Sequence, residues 1–535
     1  MRRFTRVISV FAIAAVIATS CAGGPAVSSA TPGATGASQA PSAAPKTGGT
    51  VKYALAREPI HFDPHVSSGQ TSVSLQGTVY DGLVEYDEKG QFRGALAESW
   101  DHPDALTYVF HLRQGVQFHN GATFSSADVI ANFDRIKDPK TAAPDGPFVQ
   151  GWASYAATDA NTVKVTLKTP DVNFLDRFVG DGNATMFMAS AKDIAAGMDF
   201  RTKTNGTGPF SLKSWEPGGQ FVLVKNPNYW KKGQPYIDQL IEFAIPDDTA
   251  RVNALKSGAA DFAENIPWQQ IGPLESGFTV YKHSNTFDMV RINTSKPPFN
   301  DKRVRQALNY IVDRKTILQL SFGGQGAVVD GPLQPAGSPF YWKDLEGFYK
   351  QDFNKAKQLL ADAGYKTPAD VPPLELSVLT TFAPHNDPAQ IIQQELSQFG
   401  LKVTIKPVDA PTLTANRGNG NFQFQMDGVG WSNNDPDSLR LYFQSTGIGY
   451  AAGVKFKNDR LDQLLTQGSQ TTDLAQRQTI YKEAEQIILD EAPWIFLLWR
   501  PSAEGAAKYV KGYTIIPNGL GIQNIGRWEY IWLDK

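Results

Sequence analysis

The sequence predicts an α/β protein with more than one domain. Short stretches such as 107–112 (TYVFHL) and 162–167 (TVKVTL) carry apolar side chains at alternate positions, as half-buried strands do. Longer segments such as 301–320 instead repeat apolar residues at helical spacing. A chain of 535 residues also exceeds the size at which one hydrophobic core suffices. These three observations together predict an α/β fold of two or more domains.

The chain begins with the parts of a bacterial secretion leader. Arg2, Arg3 and Arg6 precede an uncharged apolar run, and small residues lead from that run to Cys21, the only cysteine. A basic start, a short apolar core and small residues at the cut are typical of a secretory signal peptide. The run is shorter than the roughly 20 residues of a membrane-spanning helix. The segment 1–21 is therefore predicted to direct export.

The residues before Cys21 resemble the lipobox of bacterial lipoproteins. In that pattern the cysteine is lipidated and becomes the new N-terminus, and here Thr19 and Ser20 supply the small residues before it. The pattern usually has leucine three residues before the cysteine, where this chain has Ala18. The resemblance predicts a lipid anchor at Cys21 that holds the protein outside the cytoplasm, in a periplasm or at the cell surface. An ordinary signal peptide is the alternative.

A low-complexity segment follows the cysteine. Residues 22–45 consist almost entirely of Ala, Gly, Pro, Ser and Thr, and the first charge is Lys46. Such a segment buries too little apolar surface to offset its ordering entropy, so 22–46 is predicted to be a disordered linker. As a random coil it would reach about 25–30 Å. That length suits a folded body held close to a membrane.

Two segments of the second half predict a β-α-β unit. Residues 374–379 and 403–408 are predicted strands, and 389–399 between them has helical periodicity and ends at a glycine. A crossover of this kind joins parallel strands, which places the unit in an α/β lobe. Further along, a helix over 474–489 is predicted to lead into an apolar strand over 494–499.

Composition and motif content exclude several classes of function. The net charge of −2 argues against a nucleic-acid partner. The lack of any cysteine beyond Cys21 excludes disulfides and thiolate metal sites. His61 and His65 have a metal-like spacing, but Pro64 between them disfavours the helix that would bring them together. The sequence also lacks the serine-elbow and phosphate-loop motifs. No cofactor, metal or enzymatic activity is therefore expected.

Several motifs occur together in one order along the chain. Residues 206–210 (GTGPF) and 225–230 (KNPNYW) resemble a GTGPY…RNP.YW segment. Upstream, 96–100 (LAESW) and 115–121 (GVQFHNG) resemble LAESW and GVKFHDG, and 304–308 (VRQAL) follows downstream. Each motif alone is weakly specific, whereas the ordered set is highly specific. The set resembles the family 5 extracytoplasmic solute-binding proteins of the peptide/nickel class of ABC importers.

The resemblance implies an α/β, two-lobed periplasmic-binding-protein-like fold of type II, in the large cluster-C form. Segments near 286–293 and 494–500 would cross between the lobes, and the ligand would bind in the cleft by hinge closure. The implied domains are lobe 1 (47–290 plus 500–535), its extra subdomain (about 85–200) and lobe 2 (291–499). The implied partners are the permease and ATPase subunits of an importer, served by a monomeric receptor.

The segment after a predicted strand at 422–429 holds the first candidates for ligand binding. They are Gly430, Trp431, Ser432, Asn433, Asn434 and Asp435. In peptide-binding relatives a Gly-Trp at this point lies in the cleft, and a nearby aspartate pairs with the peptide's α-amino group. Here Asn433 and Asn434 precede the first carboxylate, and an amide lacks the charge that strengthens such a pair.

A second departure from the family lies in the loop 380–385, which includes the candidate Thr381. Dipeptide-type relatives bind the ligand carboxylate through an arginine soon after a strand, and this loop contains none. The predicted ligand remains a peptide or an oligopeptide-like solute. An oligosaccharide or a metal chelate is the alternative, and a secreted hydrolase that uses the acidic pair Asp435 and Asp437 is a more distant one.

Four further candidates come from other matched motifs. Phe62 lies in a loop that resembles the family's cleft-mouth P..LDP segment, and Tyr80 belongs to a match to its YEGL helix end. Gly206 and Thr207 belong to the GTGPF motif. Core packing explains Tyr80 equally well, and turn chemistry explains the motif that contains Gly206.

Overall fold

The computed structural model of the protein describes residues 44–59, 61–66, 70–179, 186–430, 435–445, 450–515 and 527–535. The predicted leader, Cys21 and the linker up to residue 43 lie outside the described residues. So do Trp431, Ser432, Asn433 and Asn434. Within the described ranges, no helix is both long and apolar enough to cross a membrane.

The first half of the chain alternates strands with mostly short helices, as its mixed periodicity predicts. In chain order the elements are β1 (Thr50–Leu55), α1 (Gln70–Val79), β2 (Val84–Tyr86), β3 (Phe92–Gly94), β4 (Ala97–Asp104), β5 (Thr107–Leu112), α2 (Ser126–Lys137), α3 (Gly146–Gln150), β6 (Trp152–Asp159), β7 (Thr162–Leu167), α4 (Ala191–Ala195), β8 (Phe210–Trp215), β9 (Gln220–Lys225), β10 (Gln239–Ala244), α5 (Asp248–Ser257), β11 (Phe262–Ala263) and α6 (Trp268–Glu275).

The second half contains longer helices and the two longest strands. Its elements are β12 (Phe278–Ile292), α7 (Lys302–Ile311), α8 (Arg314–Phe322), β13 (Ala327–Val328), α9 (Phe353–Asp362), β14 (Leu374–Val378), α10 (Ala383–Phe399), β15 (Val403–Pro407), α11 (Ala410–Asn419), β16 (Phe424–Gly430), α12 (Ser438–Phe443), α13 (Tyr450–Val454), α14 (Asp459–Gln470), α15 (Leu474–Glu491), β17 (Trp494–Ala507), β18 (Val510–Lys511) and β19 (Trp532–Leu533).

A separate antiparallel sheet lies in the region predicted to be the extra subdomain. Its strand order is β4-β5-β7-β6, and β5 and β7 are the two strands predicted from their alternating residues. Phe110 of β5 packs against Phe174 and Phe178, and Phe133 of α2 packs against Phe178. All four rings are buried. This sheet therefore has its own aromatic core.

The largest sheet has the strand order β15-β14-β16-β12-β17-β11-β1-β10-β9-β8, with β13 beside β17. Strands β14 and β15 are parallel and flank α10 in the chain, which confirms the predicted β-α-β unit. At its centre β12 and β17 pair antiparallel over most of their length. The two segments predicted to cross between lobes lie in these strands. The lobe boundaries themselves stay a prediction.

The prediction of one helix over 301–320 was wrong, because the segment forms two helices. α7 ends at Ile311, and α8 begins after Asp313. The Asp313 carboxylate accepts hydrogen bonds from the backbone N–H groups of Lys315 and Thr316, which satisfies donors that would otherwise be free at a helix start. The apolar spacing continues across the break, so periodicity alone does not reveal it.

Candidate functional site

Three neighbouring strands meet in register where β16 ends. Gly430 of β16 pairs with Thr286 of β12, and Thr286 pairs with Arg500 of β17. Two residues along, Gly428 pairs with Asp288. Because every second residue of a strand points to the same face, the side chains of Thr286, Asp288 and Arg500 share one face of the sheet. The two glycines place no side chain of β16 on that face.

The glycine at 428 allows two polar groups to approach the strand. A Cβ atom at this position would lie 2.6 Å from Asp288 Oδ1 and 3.3 Å from His385 Nε2. His385 lies in the first turns of α10, which follows β14 and packs on this face. Any larger residue at 428 would displace the carboxylate. We call Thr286, Asp288, Phe382, His385 and Arg500 the Asp288 cluster.

Arg500 links the buried part of the cluster to its surface. Its Nε lies 3.7 Å from Asp288 Oδ1, and its guanidinium carbon lies 5.3 Å from the ring centroid of Phe382. The Phe382 ring in turn meets the His385 ring edge-on at 4.9 Å. The Asp288 side chain has no exposed surface, whereas the Arg500 side chain is 15% exposed. The cluster therefore combines a buried carboxylate with a cation that solvent can reach.

Burial sets the charge of the cluster. Loss of solvent raises the pKa of Asp288 to about 7, although the Arg500 charge opposes this increase. Loss of solvent, together with the nearby Arg500 charge, lowers the pKa of His385 to about 3. Among the described residues, none donates a hydrogen bond to either Asp288 oxygen. Near pH 7 the cluster therefore holds a cationic arginine, a neutral histidine and a partly protonated aspartate.

The opposite face of the same strands holds a fully paired carboxylate. Asp427 Oδ2 accepts from Arg291 Nε at 2.6 Å, and its Oδ1 accepts from Arg417 Nη2 at 2.6 Å. These two arginines lower the pKa of Asp427 to about 2 despite its complete burial. Arg291 and Asp427 have no exposed side-chain surface. This ion cluster stabilises the pairing of β12 with β16 and satisfies both oxygens of the Asp427 carboxylate.

Thr381 lies at the same sheet edge as Gly430. It is exposed in the turn between β14 and α10, next to Phe382. Strands β14 and β16 are parallel neighbours, so their carboxyl ends reach one edge of the sheet. Ligands of open α/β sheets bind outside the carboxyl ends of the strands. The structure thus brings these two predicted residues together, and their contact with a ligand stays a prediction.

Asp435 is engaged by the protein itself. Both its carboxylate oxygens accept hydrogen bonds at 2.7 Å from the guanidinium of Arg477 on α15. Oδ1 also accepts from the backbone N–H of Asp437, which closes the turn that the Asp-Pro-Asp sequence predicts. In this arrangement the carboxylate anchors the turn at 435–437 to α15. Direct ligand contact by Asp435 stays a prediction.

Phe62, Tyr80 and Gly206 lie in the interior around α1. Phe62 has no exposed surface, and its ring packs against Trp215 and Phe221. Tyr80 is 1% exposed. A Cβ atom at Gly206 would lie 1.9 Å from the carbonyl oxygen that ends α1, so only glycine allows this approach. The structure favours packing roles for all three, and ligand contact by them stays a prediction.

The matched sequence motifs converge on the buried carboxylate of Asp81. Its Oδ2 accepts hydrogen bonds from Thr207 Oγ1 at 2.8 Å and from Trp230 Nε1 at 3.0 Å. Its Oδ1 accepts from the Tyr229 hydroxyl at 3.3 Å. Burial raises the pKa of Asp81 to about 6, with the Lys231 charge opposing the increase. The GTGPF and NPNYW motifs therefore meet in a structural hydrogen-bond network, which accounts for the burial of Thr207.

The two histidines at metal-like spacing have other partners. His65 is fully buried, and its Nε2 lies 3.0 Å from the Phe187 carbonyl oxygen. Its Nδ1 lies 2.6 Å from Arg135, which also binds both oxygens of Asp63. No group of three or more His, Cys, Asp or Glu side chains suited to a metal occurs within the described ranges.

The sequence interpretation did not include Asp288, Phe382, His385 or Arg500. Phe382 and His385 lie in the loop 380–385, of which only Thr381 was a predicted ligand contact, whereas Asp288 and Arg500 lie in the segments predicted to cross between the lobes. The cluster forms only when the strands pair in the observed register. The sequence does contain a weak indication of the site, because Asp288 interrupts one strongly apolar strand segment and Arg500 ends another. Buried charges without a local partner are costly and therefore informative.

Comparison with known proteins assigns the family. Residues 91–450 match the model of bacterial extracellular solute-binding proteins, family 5. The glutathione-binding protein GsiB of Escherichia coli K12 is 29% identical over 474 residues, which cover 85% of this chain and 90% of that protein.

Solved structures give the same assignment and confirm the predicted two-lobed fold class. The binding protein AgaA of A. tumefaciens R10, in complex with agropinic acid, has a TM-score of 0.81 and 30% identity over 91% of this chain and 99% of its own. The binding protein DppA of Helicobacter pylori, in complex with the peptide STSA, has a TM-score of 0.81 and 26% identity over 92% and 99%. The chain belongs to family 5 of the bacterial extracellular solute-binding proteins.

Proposed function

We propose that the protein captures a peptide-like solute outside the cytoplasmic membrane and delivers it to the permease of an ABC importer. The observation that carries this proposal is the Asp288 cluster, which offers a cation and an aromatic ring at the sheet edge where β16 ends. The relatives support the class of solute, because GsiB is named for glutathione and the H. pylori protein was solved with a peptide. Energy for transport comes from ATP hydrolysed by a separate subunit.

Closure around the solute is supported by contacts between the extra subdomain and the segment that follows the site. The backbone N–H of Val172 donates to the Ser469 carbonyl oxygen at 3.0 Å. Asn173 Nδ2 donates to Asp437 Oδ2 at 3.1 Å. Asp437 follows the end of β16 closely along the chain, so a solute bound where β16 ends is coupled to these contacts. In the proposed cycle they form on closure and break when the permease opens the receptor.

The proposal includes attachment to the membrane through Cys21. The linker 22–46 then allows the folded body to turn while it stays near the permease. Replacing Cys21 by serine is expected to move the protein from the membrane fraction to the soluble fraction, with solute affinity unchanged. Membrane association that survives this substitution would contradict the lipid anchor without affecting the receptor role.

A thermal-shift panel tests the choice of solute. The full chain, purified in mild detergent, is melted with peptides, glutathione, oligosaccharides and metal chelates. A solute that binds only the folded state stabilises it by RT ln(1 + [L]/Kd), about 2.7 kcal/mol at 100 times Kd. Stabilisation by peptides or glutathione, with the solute recovered intact, is expected. Stabilisation by oligosaccharides or chelates alone would overturn the peptide assignment, and solute hydrolysis would overturn the receptor role.

A further inference from the structure

We propose that Arg500 binds a carboxylate of the solute, so that the captured molecule is a short peptide-like anion with a free carboxylate. This inference rests on the proposed function and specifies the substrate class of the same site. It is carried by the position of Arg500, by its unused N–H donors, and by the incomplete neutralisation of its charge by Asp288.

The guanidinium of Arg500 has N–H groups that donate no hydrogen bond to any described residue. Its Nε lies 3.7 Å from Asp288 Oδ1, which is beyond the usual range of a hydrogen bond. Its guanidinium carbon also lies 5.3 Å from the centroid of the Phe382 ring. A guanidinium carries five N–H groups in a planar fork that matches a carboxylate. Stacking on the 37% exposed Phe382 ring holds that fork in one plane and leaves its edge for a ligand.

Among the described residues, Asp288 offsets only part of the Arg500 charge near pH 7. The Asp288 carboxyl is completely buried, and burial favours its uncharged form. His385 on α10 is neutral, and Asp427 is already paired with two arginines on the opposite face. The accessible edge of the cluster is therefore cationic. A carboxylate binds such a site through two parallel charge-assisted hydrogen bonds.

The register of the strands sets the length of the solute. Gly430, Thr286 and Arg500 form one row across β16, β12 and β17. Two strand spacings of about 4.8 Å separate the first from the last, so Arg500 lies about 10 Å from the end of β16. An extended peptide covers that distance with about three residues. A solute held near Gly430 thus reaches Arg500 if it is the size of a tripeptide.

The test compares tripeptides that lack Asp and Glu, each as a free acid and as a C-terminal amide. The full chain and its Arg500→Gln variant are titrated by calorimetry, with Arg460→Gln as a matched control because Arg460 pairs with Glu483 on the surface. The native protein is expected to bind the acids about 10- to 100-fold more tightly than the amides. Arg500→Gln should bind both forms as weakly as the native protein binds amides, and the control should match the native protein.

Other outcomes overturn the inference in distinguishable ways. The role of Arg500 is contradicted if the native protein binds acids and amides equally, or if Arg500→Gln still prefers the acids. The receptor role stands in both cases. Failure of the native protein to bind any tripeptide in either form overturns the proposed function and this inference together. Competition by inorganic phosphate but not by acetate reassigns the site to phosphate. If the glutamine variant does not fold, Arg500→Lys replaces it, with weakened but surviving discrimination expected.

Discussion

Replacing Asp288 by asparagine is expected to stabilise the protein at alkaline pH. The pKa of the Asp288 carboxyl is about 7 in the folded protein, against an ordinary value of 3.8. The folded state therefore binds this proton more tightly than the unfolded state does. For a group with a raised pKa, the favourable contribution is complete below the unfolded pKa and is lost as pH rises through the folded pKa. Asparagine mimics the protonated side chain and carries no such loss.

The size of the effect follows from the two pKa values. The difference between them, roughly three, corresponds to about 4 kcal/mol at 1.36 kcal/mol for each pKa unit. The free energy of unfolding of Asp288→Asn, relative to the native protein, should therefore rise by about 3 kcal/mol between pH 4.5 and pH 8. With an unfolding entropy of about 2.1 cal/mol/K per residue, this corresponds to roughly 3 °C in melting temperature.

The assay is thermal unfolding of both proteins at several pH values in this window. Other buried carboxyls with raised pKa, such as Glu242 and Glu485, titrate in both proteins and cancel in the difference. Asp427→Asn is the contrasting variant, because its carboxylate is paired with Arg291 and Arg417. That substitution should destabilise the protein by about 3–5 kcal/mol at neutral pH. A stability difference for Asp288→Asn that does not change with pH would refute the reasoning.

Three other substitutions test, one by one, a packing contact, a contact proposed to form on closure, and a predicted ligand contact. Gly206→Ala brings a Cβ atom to 1.9 Å from the Val79 carbonyl oxygen. The free energy of unfolding should fall by more than the ~1–3 kcal/mol that is usual for overpacking, and the melting temperature should fall with it. An unchanged melting temperature would contradict that contact. Asn173→Ala removes the hydrogen bond to Asp437 and should weaken solute affinity about 3- to 10-fold in calorimetry, with the solute-free melt unchanged. Trp431→Ala should abolish binding and leave the solute-free melt nearly unchanged, whereas a large drop would place Trp431 in the core.

The sequence predicts where the strands of the fold lie better than it predicts how long they are. β17 was predicted only as far as residue 499, where its apolar run ends. The strand continues to Ala507 through small residues such as Ala503 and Gly505, which show no alternation. Their size matters only in three dimensions, because a Cβ at Gly505 would lie 2.8 Å from Leu255 of α5. Tertiary packing therefore extends this strand.

Sequence motifs identify the family more readily than they identify the binding chemistry. The GTGPF and NPNYW motifs converge on Asp81 and serve the fold. The loop 380–385 lacks an arginine, and the sequence alone therefore suggests that no cation lies there. The structure instead stacks Arg500, from a distant strand, on Phe382 of that loop. The successive pairing of β14, β16, β12 and β17 brings these residues together, and no local pattern encodes it.

The central claim is that this protein captures a short peptide-like solute with a carboxylate. The most direct measurement is the identity of the solute that stays bound when the protein is purified from an exporting bacterial host. Released by denaturation and examined by mass spectrometry, it should be a small peptide-like molecule with a free carboxylate, present at up to one per chain. An oligosaccharide or a metal chelate recovered in that amount would contradict the claim.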